Sequence, residues 1–302
     1  MRKRILFAFT PFFHSKYYTA GQSTPRYAKA QVTTTMLQAI SMTSIRLTSG
    51  SVRLTLPKAL ATAISIHDRD VLRTEFRVRC DRTGSDGLGL DIVFGADVDD
   101  DSTRTMSAVV FDSTGQVELR LPRMLAEAWG IDGLDVDWPD AGAVRCGPDA
   151  DVTIHATVPE WTPARPVDLF QAAGEMPHST SLNRVERGDS EYAQVTGSIP
   201  TVLSEAVGLG TEYDRSVVMM DCVDGRPVMV MTPTDTPASE CRNSVAVNLA
   251  GPGNSQRQFN AGAIAGLFGV EQQLRETGSA RLRWFQQDDS VCAFVETDGG
   301  SA

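Results

Sequence analysis

Apolar and polar residues alternate over Val52-Arg-Leu-Thr-Leu56, with Val52, Leu54 and Leu56 on one side of the chain and Arg53 and Thr55 on the other. A period of two is that of a strand with one buried face. Gly50 marks the preceding turn and Pro57 follows at once; proline suits the first turn of a helix, where its missing N–H costs nothing. Leu60, Ala63 and Ile64 recur at helical spacing, which predicts a helix of about two turns with one apolar face. The unit is a strand, a Pro-started short helix, an acidic turn and another strand.

The pattern repeats. With a shift of 65, Gly50, Val52, Leu54, Leu56, Pro57, Leu60, Ala61, Ala63 and Ile66 land on Gly115, Val117, Leu119, Leu121, Pro122, Leu125, Ala126, Ala128 and Ile131, and Asp70-Val71 lands on Asp135-Val136. A third copy keeps Pro200, Leu203, Ala206 and Leu209 in register. A fourth, over Gln256 to Val270, keeps the strand, short helix and small residues but lacks the Pro. A unit of about 45 residues is too small to bury an adequate core alone, so the copies must pair. Between the second and third copies Pro159, Pro163 and Pro166 mark a linker. This predicts a basic arm over 1–42, a first pair of copies over 43–157, a Pro-rich linker over 158–182 and a second, more divergent pair over 183–302.

The motif Gly-x-Val-x-Leu-x-Leu-Pro-[Lys/Arg]-x-Leu-x-x-Ala-x-x-Ile, with its Asp-Val turn, resembles the AbrB/SpoVT swapped-hairpin domain of bacterial and archaeal transcription regulators and antitoxins. The resemblance implies a mainly β fold with short helices, built as two intramolecular swapped-hairpin β-barrels from four degenerate repeats. It also implies double-stranded DNA as partner, met by basic side chains on the paired strands and at the helix entries. At matching positions stand Arg53 and Lys58 in the first copy and Arg120 and Arg123 in the second, with Arg46 on the incoming strand. Arginine can neutralise phosphate and reach guanine edges. The opposing reading is that alternation alone puts polar residues at these positions, and Glu118 on the same face as Arg120 weakens the second copy.

The second pair departs further: Thr201 follows its Pro, and Arg257, Arg275, Arg281 and Arg283 lie elsewhere. An effector, a partner protein or a second chain are the expected roles for that half. A DNA-binding transcription regulator, reading with the first barrel, is the leading expectation; an antitoxin-like or scaffold protein using its barrels for association without DNA is the alternative.

Charge changes this picture in one respect. The chain has 302 residues, 28 Lys+Arg and 38 Asp+Glu, for a formal charge of −10. Met1 to His67 holds nine basic residues and no acidic one, leaving 19 Arg against 38 acids in the remainder. All four lysines lie at or before Lys58, and Asp outnumbers Glu by 25 to 13. Such a composition is similar to that of halophilic archaeal proteins. At 1 M salt the Debye length is about 3 Å, so an acidic surface does not exclude an anionic partner. Six of the nine basic residues precede residue 42, in an arm rich in Thr, Tyr and Phe, and Met36 or Met42 is an alternative start.

Other chemistry is sparse. No apolar run approaches the roughly 20 residues of a membrane helix, and Thr10-Pro11 interrupts an N-terminal stretch that mimics a signal peptide. A cytoplasmic location is expected. The five cysteines, Cys80, Cys146, Cys222, Cys241 and Cys292, form no Cys-x-x-Cys pair, which predicts reduced thiols. Cys80, Cys146 and Cys222 fall 23, 24 and 22 residues after their Pro, equivalent strand positions suited to small apolar residues. Asp97-Val-Asp-Asp-Asp101 lacks the Gly and Glu of a calcium loop and reads as a solvated turn. His14, His67, His155 and His178 are scattered, and no catalytic or phosphate-binding motif is present. No enzyme activity, metal or cofactor is expected. Gly262-x-x-x-Gly266 predicts close packing of a helix on its barrel, and Asn248 to Ser255 a loop.

Overall fold

The structure, a computed structural model, describes residues 42–64, 66, 73–80, 87–95, 105–107, 109–111, 116–139, 144–145, 152–168, 178–186, 193–252 and 255–296. All belong to one compact unit, Leu37–Ala302. The arm before residue 42, the acidic turn at 97–101, His14, His67 and Cys146 lie outside the described residues. The first half contains β1 (Thr43–Ser44), β2 (Arg46–Thr48), β3 (Ser51–Leu56), α1 (Lys58–Ala63), β4 (Arg73–Arg79), β5 (Gly87–Gly95), β6 (Thr105–Ser107), β7 (Val109–Phe111), β8 (Gln116–Leu121), α2 (Arg123–Trp129), β9 (Asp135–Val136), β10 (Val144–Arg145) and β11 (Val152–Pro159). The second contains β12 (His178–Glu186), β13 (Ala193–Ile199), α3 (Thr201–Ala206), β14 (Arg215–Val223), β15 (Arg226–Pro233), β16 (Ser244–Ala250), β17 (Gln256–Asn260), α4 (Gly262–Phe268), α5 (Glu271–Thr277), β18 (Ser279–Gln287) and β19 (Ser290–Val295). The fold is mainly β with antiparallel sheets. Asn248 to Ala250, expected in a loop, continue β16, where they pair with β17.

Each of the four sequence copies forms a strand followed directly by a short helix, and the strands of paired copies lie side by side. β3 and β8 run antiparallel with Leu54 opposite Leu119, Val52 opposite Leu121 and Leu56 opposite Val117. Leu54 and Leu119 are the same position of the repeat, so a local two-fold axis passes through that pair. All six of these side chains are buried. In the second half β13 and β17 pair with Gly197 opposite Phe259. A Cβ on Gly197 would lie 2.3 Å from the Phe259 ring, so the two-Leu solution is replaced by one large residue over none.

The second half closes into a ring of eight strands in the order β12-β13-β17-β16-β14-β15-β19-β18. Exchanging the third copy (β12 to β15) with the fourth (β16 to β19) leaves that order unchanged. The first half has the sheets β2-β3-β8-β7, β10-β11-β5-β4-β6 and β1-β9. Only Ile45 separates β1 from β2, one residue separates β6 from β7, and a bridge from Asp137 to Thr157 lays the chain after β9 against β11. Taken as continuous strands, these segments follow the same cyclic order as the second half.

The strand-to-helix turn is nearly identical in three copies. Pro57, Pro122 and Pro200 have φ of −57°, −55° and −55° with extended ψ. Each precedes its helix rather than starting it, one residue earlier than the sequence pattern suggests. The ring fixes a φ common to strand and helix, and the proline carbonyl accepts the first helical N–H, from Ala61, Ala126 or Ser204. The fourth copy, without Pro, uses Asn260, whose Oδ1 accepts from the Gly262 N–H at 3.1 Å. At the far ends of α2 and α4, Gly130 and Gly269 adopt left-handed conformations and are followed by buried Ile131 and Val270, whose N–H groups bond Ala126 and Ala265.

The halves meet through equivalent parts. α2 packs on β14 and α4 on β4, while α2 and α4 pack on each other. Exchanging the first copy with the third and the second with the fourth interchanges the first two contacts and leaves the last unchanged, the geometry of an isologous interface inside one chain. Gly266, buried in α4, belongs to this interface helix, which also packs on β13 and β15. α1 and α3 lie outside it and expose Lys58, Ala59 and Thr62, and Val202, Glu205 and Ala206. Cys80 and Cys222, expected as separate reduced thiols, form a disulfide between the halves. Their equivalent repeat positions meet because the interface itself relates the first copy to the third.

The Pro-rich segment after β11 is held as a strap. The Trp161 indole N–H donates to the Trp129 carbonyl at 2.6 Å, and the two rings pack 5.9 Å apart. Further on, Arg165 pairs with Asp289, the Val167 N–H donates to Asp221 Oδ2, and the Gln287 side chain bonds the Pro166 carbonyl. Arg165 draws the Asp289 carboxyl below its ordinary value, whereas burial raises that of Asp221 against two backbone N–H donors.

Gly197→Ala should cost about 1–3 kcal/mol in urea unfolding because Phe259 must shift, and Gly197→Leu combined with Phe259→Leu should recover part of the loss of the single leucine variant. Asp221→Asn leaves one of two N–H donors without an acceptor and should destabilise at neutral pH by about 1–3 kcal/mol. Because folding raises the Asp221 pKa, protonation favours the folded state, so the wild type should gain on the Asn variant as pH falls through the raised value toward the ordinary 3.8.

Candidate nucleic-acid interface

β3 and β8 bury Val52, Leu54, Leu56, Val117, Leu119 and Leu121, and period-2 alternation turns the intervening side chains outward. Strand register then decides which of these become neighbours. Arg46 of β2 lies opposite Arg53, and Arg53 lies opposite Arg120 of β8. The three arginines stand in one row across three adjacent strands. With strands about 4.8 Å apart, the row spans about 10 Å.

One member of the row is tied down. Arg53 Nη1 donates to both carboxylate oxygens of Glu118, at 3.0 and 2.8 Å, and its Nε bonds Ser51. The Arg53 side chain is 26% exposed and that of Glu118 16%, so the pair is partly withdrawn from water. Glu118 therefore neutralises the central arginine and leaves Arg120, its neighbour along β8, exposed and without an ion pair among the described residues. Arg46 is likewise exposed without one.

Lys58 and Arg123 open α1 and α2 at the two symmetry-related ends of the ribbon. Lys58 is exposed, whereas Arg123 is paired with Glu127 one helical turn on. The five cations named from the sequence thus lie on the central ribbon and its two helix entries, accompanied by the carboxylates of Glu118 and Glu127. The local balance is positive in a chain of formal charge −10.

The matching ribbon of the second half has a different surface. Gln194, Thr196 and Ser198 of β13 face outward beside Gln256, Gln258 and Asn260 of β17, with no charge among them. Arg257 alternates inward, is buried, and pairs with Glu205 at 3.3 Å. Arg281 and Arg283 converge on Glu296 from β18, and the pair with Arg283 holds the Glu296 carboxyl below its ordinary value.

Sequence reasoning missed a second polar cluster, on the outer face of β4, β5 and β11. Register sets His155 opposite Asp91, and His155 Nδ1 meets Asp91 Oδ1 at 2.7 Å. Arg79 Nε binds the same carboxylate at 2.7 Å, its guanidinium lying over Gly89, where a Cβ would come within 3.0 Å. Beside His155 is an open hollow of about 230 Å³ lined also by Asp137, Trp138, Pro139 and Thr157. Asp91 and His155 are 64 residues apart, and only the strand register connects them.

Among the described residues no group of three or more His, Cys, Asp and Glu is placed to hold a metal ion, and no helix is long and apolar enough to cross a membrane. Comparison with protein-family models, with curated proteins and with solved structures gives no match.

A double-mutant cycle on Arg53→Ala and Glu118→Ala, read by urea unfolding, should give a coupling of about 0.5–1 kcal/mol, reduced by salt because both side chains retain some exposure.

Proposed function

We propose that the chain is a DNA-binding transcription regulator of AbrB/SpoVT type, with two intramolecular swapped-hairpin barrels and the first barrel as reader. The row of Arg46, Arg53 and Arg120 on a two-fold-related ribbon is the observation that carries this reading. Sheet-type DNA readers lay strands against the major groove of B-DNA, which is about 12 Å wide. A row about 10 Å long can present guanidinium groups to base edges at its centre and to phosphates at its ends. Lys58 and Arg123, at the helix entries, extend the cationic surface toward the flanking backbone.

The swapped-hairpin reading is supported by the strand order, which survives exchange of paired copies in each half, and by the repeated Pro turn. A helix following a shared ribbon strand at both ends of a two-fold axis is what interleaved hairpins require. The second half, whose ribbon is uncharged, does not join in phosphate neutralisation.

The alternative, an antitoxin-like or scaffold protein that uses its barrels for association, draws on a specific observation: Arg53 and Arg123 are already neutralised by Glu118 and Glu127. The two readings part in a DNA titration. Fluorescence anisotropy with promoter fragments, from 0.2 M to molar KCl, should show binding by the wild type. Arg46→Ala and Arg120→Ala should each weaken it, and a residue that meets phosphate should lower the salt slope by about 1. Glu118→Gln should strengthen binding by freeing Arg53. Absence of wild-type binding throughout the salt range would favour the association role.

A further inference from the structure

The disulfide joins Cys80, directly after β4 in the first half, to Cys222 of β14 in the second, across 142 residues of sequence. It lies in the same two-fold-related interface as the contacts of α2 with β14 and of α4 with β4. Both cysteines are only partly buried, so a small thiol can reach them. Cys292, by contrast, is fully buried and its thiol is pushed up to about 12 by that burial.

The residue next to the bond also holds the strap. Asp221 accepts from the Cys222 N–H through Oδ1 and from the Val167 N–H through Oδ2, each at 2.6 Å. The backbone of β14 at the crosslink and the segment between the halves are therefore tied to one carboxylate. Asp221 thus links the backbone at Cys222 to that at Val167.

We propose that Cys80–Cys222 is a reversible thiol–disulfide site that locks the two halves and their connecting strap, with a low-molecular-weight dithiol as its reductant. One thiolate of the dithiol attacks a sulfur of the bond, forming a mixed disulfide and releasing one protein thiolate. The second thiol of the reagent then displaces the other cysteine. Two electrons pass to the protein, each cysteine ends protonated, and the dithiol leaves as a cyclic disulfide. The reverse exchange with a small disulfide restores the lock. Each half keeps its own strand ring in the reduced form, and the strap loosens. This proposal does not depend on DNA binding.

The test uses the full chain equilibrated anaerobically in mixtures of reduced and oxidised dithiothreitol, then labelled with a maleimide under denaturing conditions and mapped by peptide mass. Cys80 and Cys222 should become labelled together in one transition, while circular dichroism stays native. Cys222→Ser should leave Cys80 labelled under oxidising conditions. Chymotryptic cleavage after Trp161 should be on the order of tenfold faster in the reduced protein and in both Cys80→Ser and Cys222→Ser than in the oxidised wild type. Free thiols at both positions under oxidising conditions would overturn the proposal. So would a bond that yields to dithiothreitol only after unfolding, or cleavage rates unaffected by its reduction.

Discussion

The whole structure depends on one constraint: a strand pair on either side of a short helix, 52–56 residues in each copy, cannot enclose a core. The apolar row Val52, Leu54 and Leu56 has nothing within its own copy large enough to cover it. Pairing β3 with β8 about a local two-fold axis supplies the cover, because each copy brings the same row to the other. Once Leu54 faces Leu119, the outward residues are fixed as well, and Arg46, Arg53 and Arg120 fall into line. The cationic row is thus a by-product of the register that buries the core.

The two halves solve this problem with different residues. In the first, two leucines meet on the axis; in the second, Phe259 covers Gly197. In three copies proline sets the turn into the helix, and in the fourth the Asn260 side chain, just before it, accepts from the Gly262 N–H. The backbone arrangement tolerates these exchanges because it requires volume at the axis and one satisfied N–H at the helix start, not particular side chains. The outward faces, free of packing constraints, have diverged further: one ribbon carries arginine and glutamate, the other amides and hydroxyls.

Much of this was legible in the sequence because it is local. Alternation announced the strands, Pro57, Pro122 and Pro200 the turns, and the shift of 65 the pairing partner. What escaped notice depends on contacts that no local pattern encodes. Glu118 does share the outward face with Arg120, as alternation indicates, but alternation does not show that its carboxylate reaches across to Arg53. His155 looked isolated because Asp91 is 64 residues away. The similar spacing of Cys80 and Cys222 from their prolines, 23 and 22 residues, places them within a copy but says nothing of which copies meet. The interface between the halves relates the first copy to the third, and that brings the two sulfurs together.

In this fold the paired copies cover each other within one chain. Nuclear Overhauser contacts measured on an equal mixture of isotope-labelled and unlabelled protein test it most directly. Contacts between Leu54 and Leu119, and between Gly197 and Phe259, should be present within labelled molecules and absent from the spectrum filtered for contacts between labelled and unlabelled chains. Their appearance in the filtered spectrum would show instead that the ribbons form between two chains.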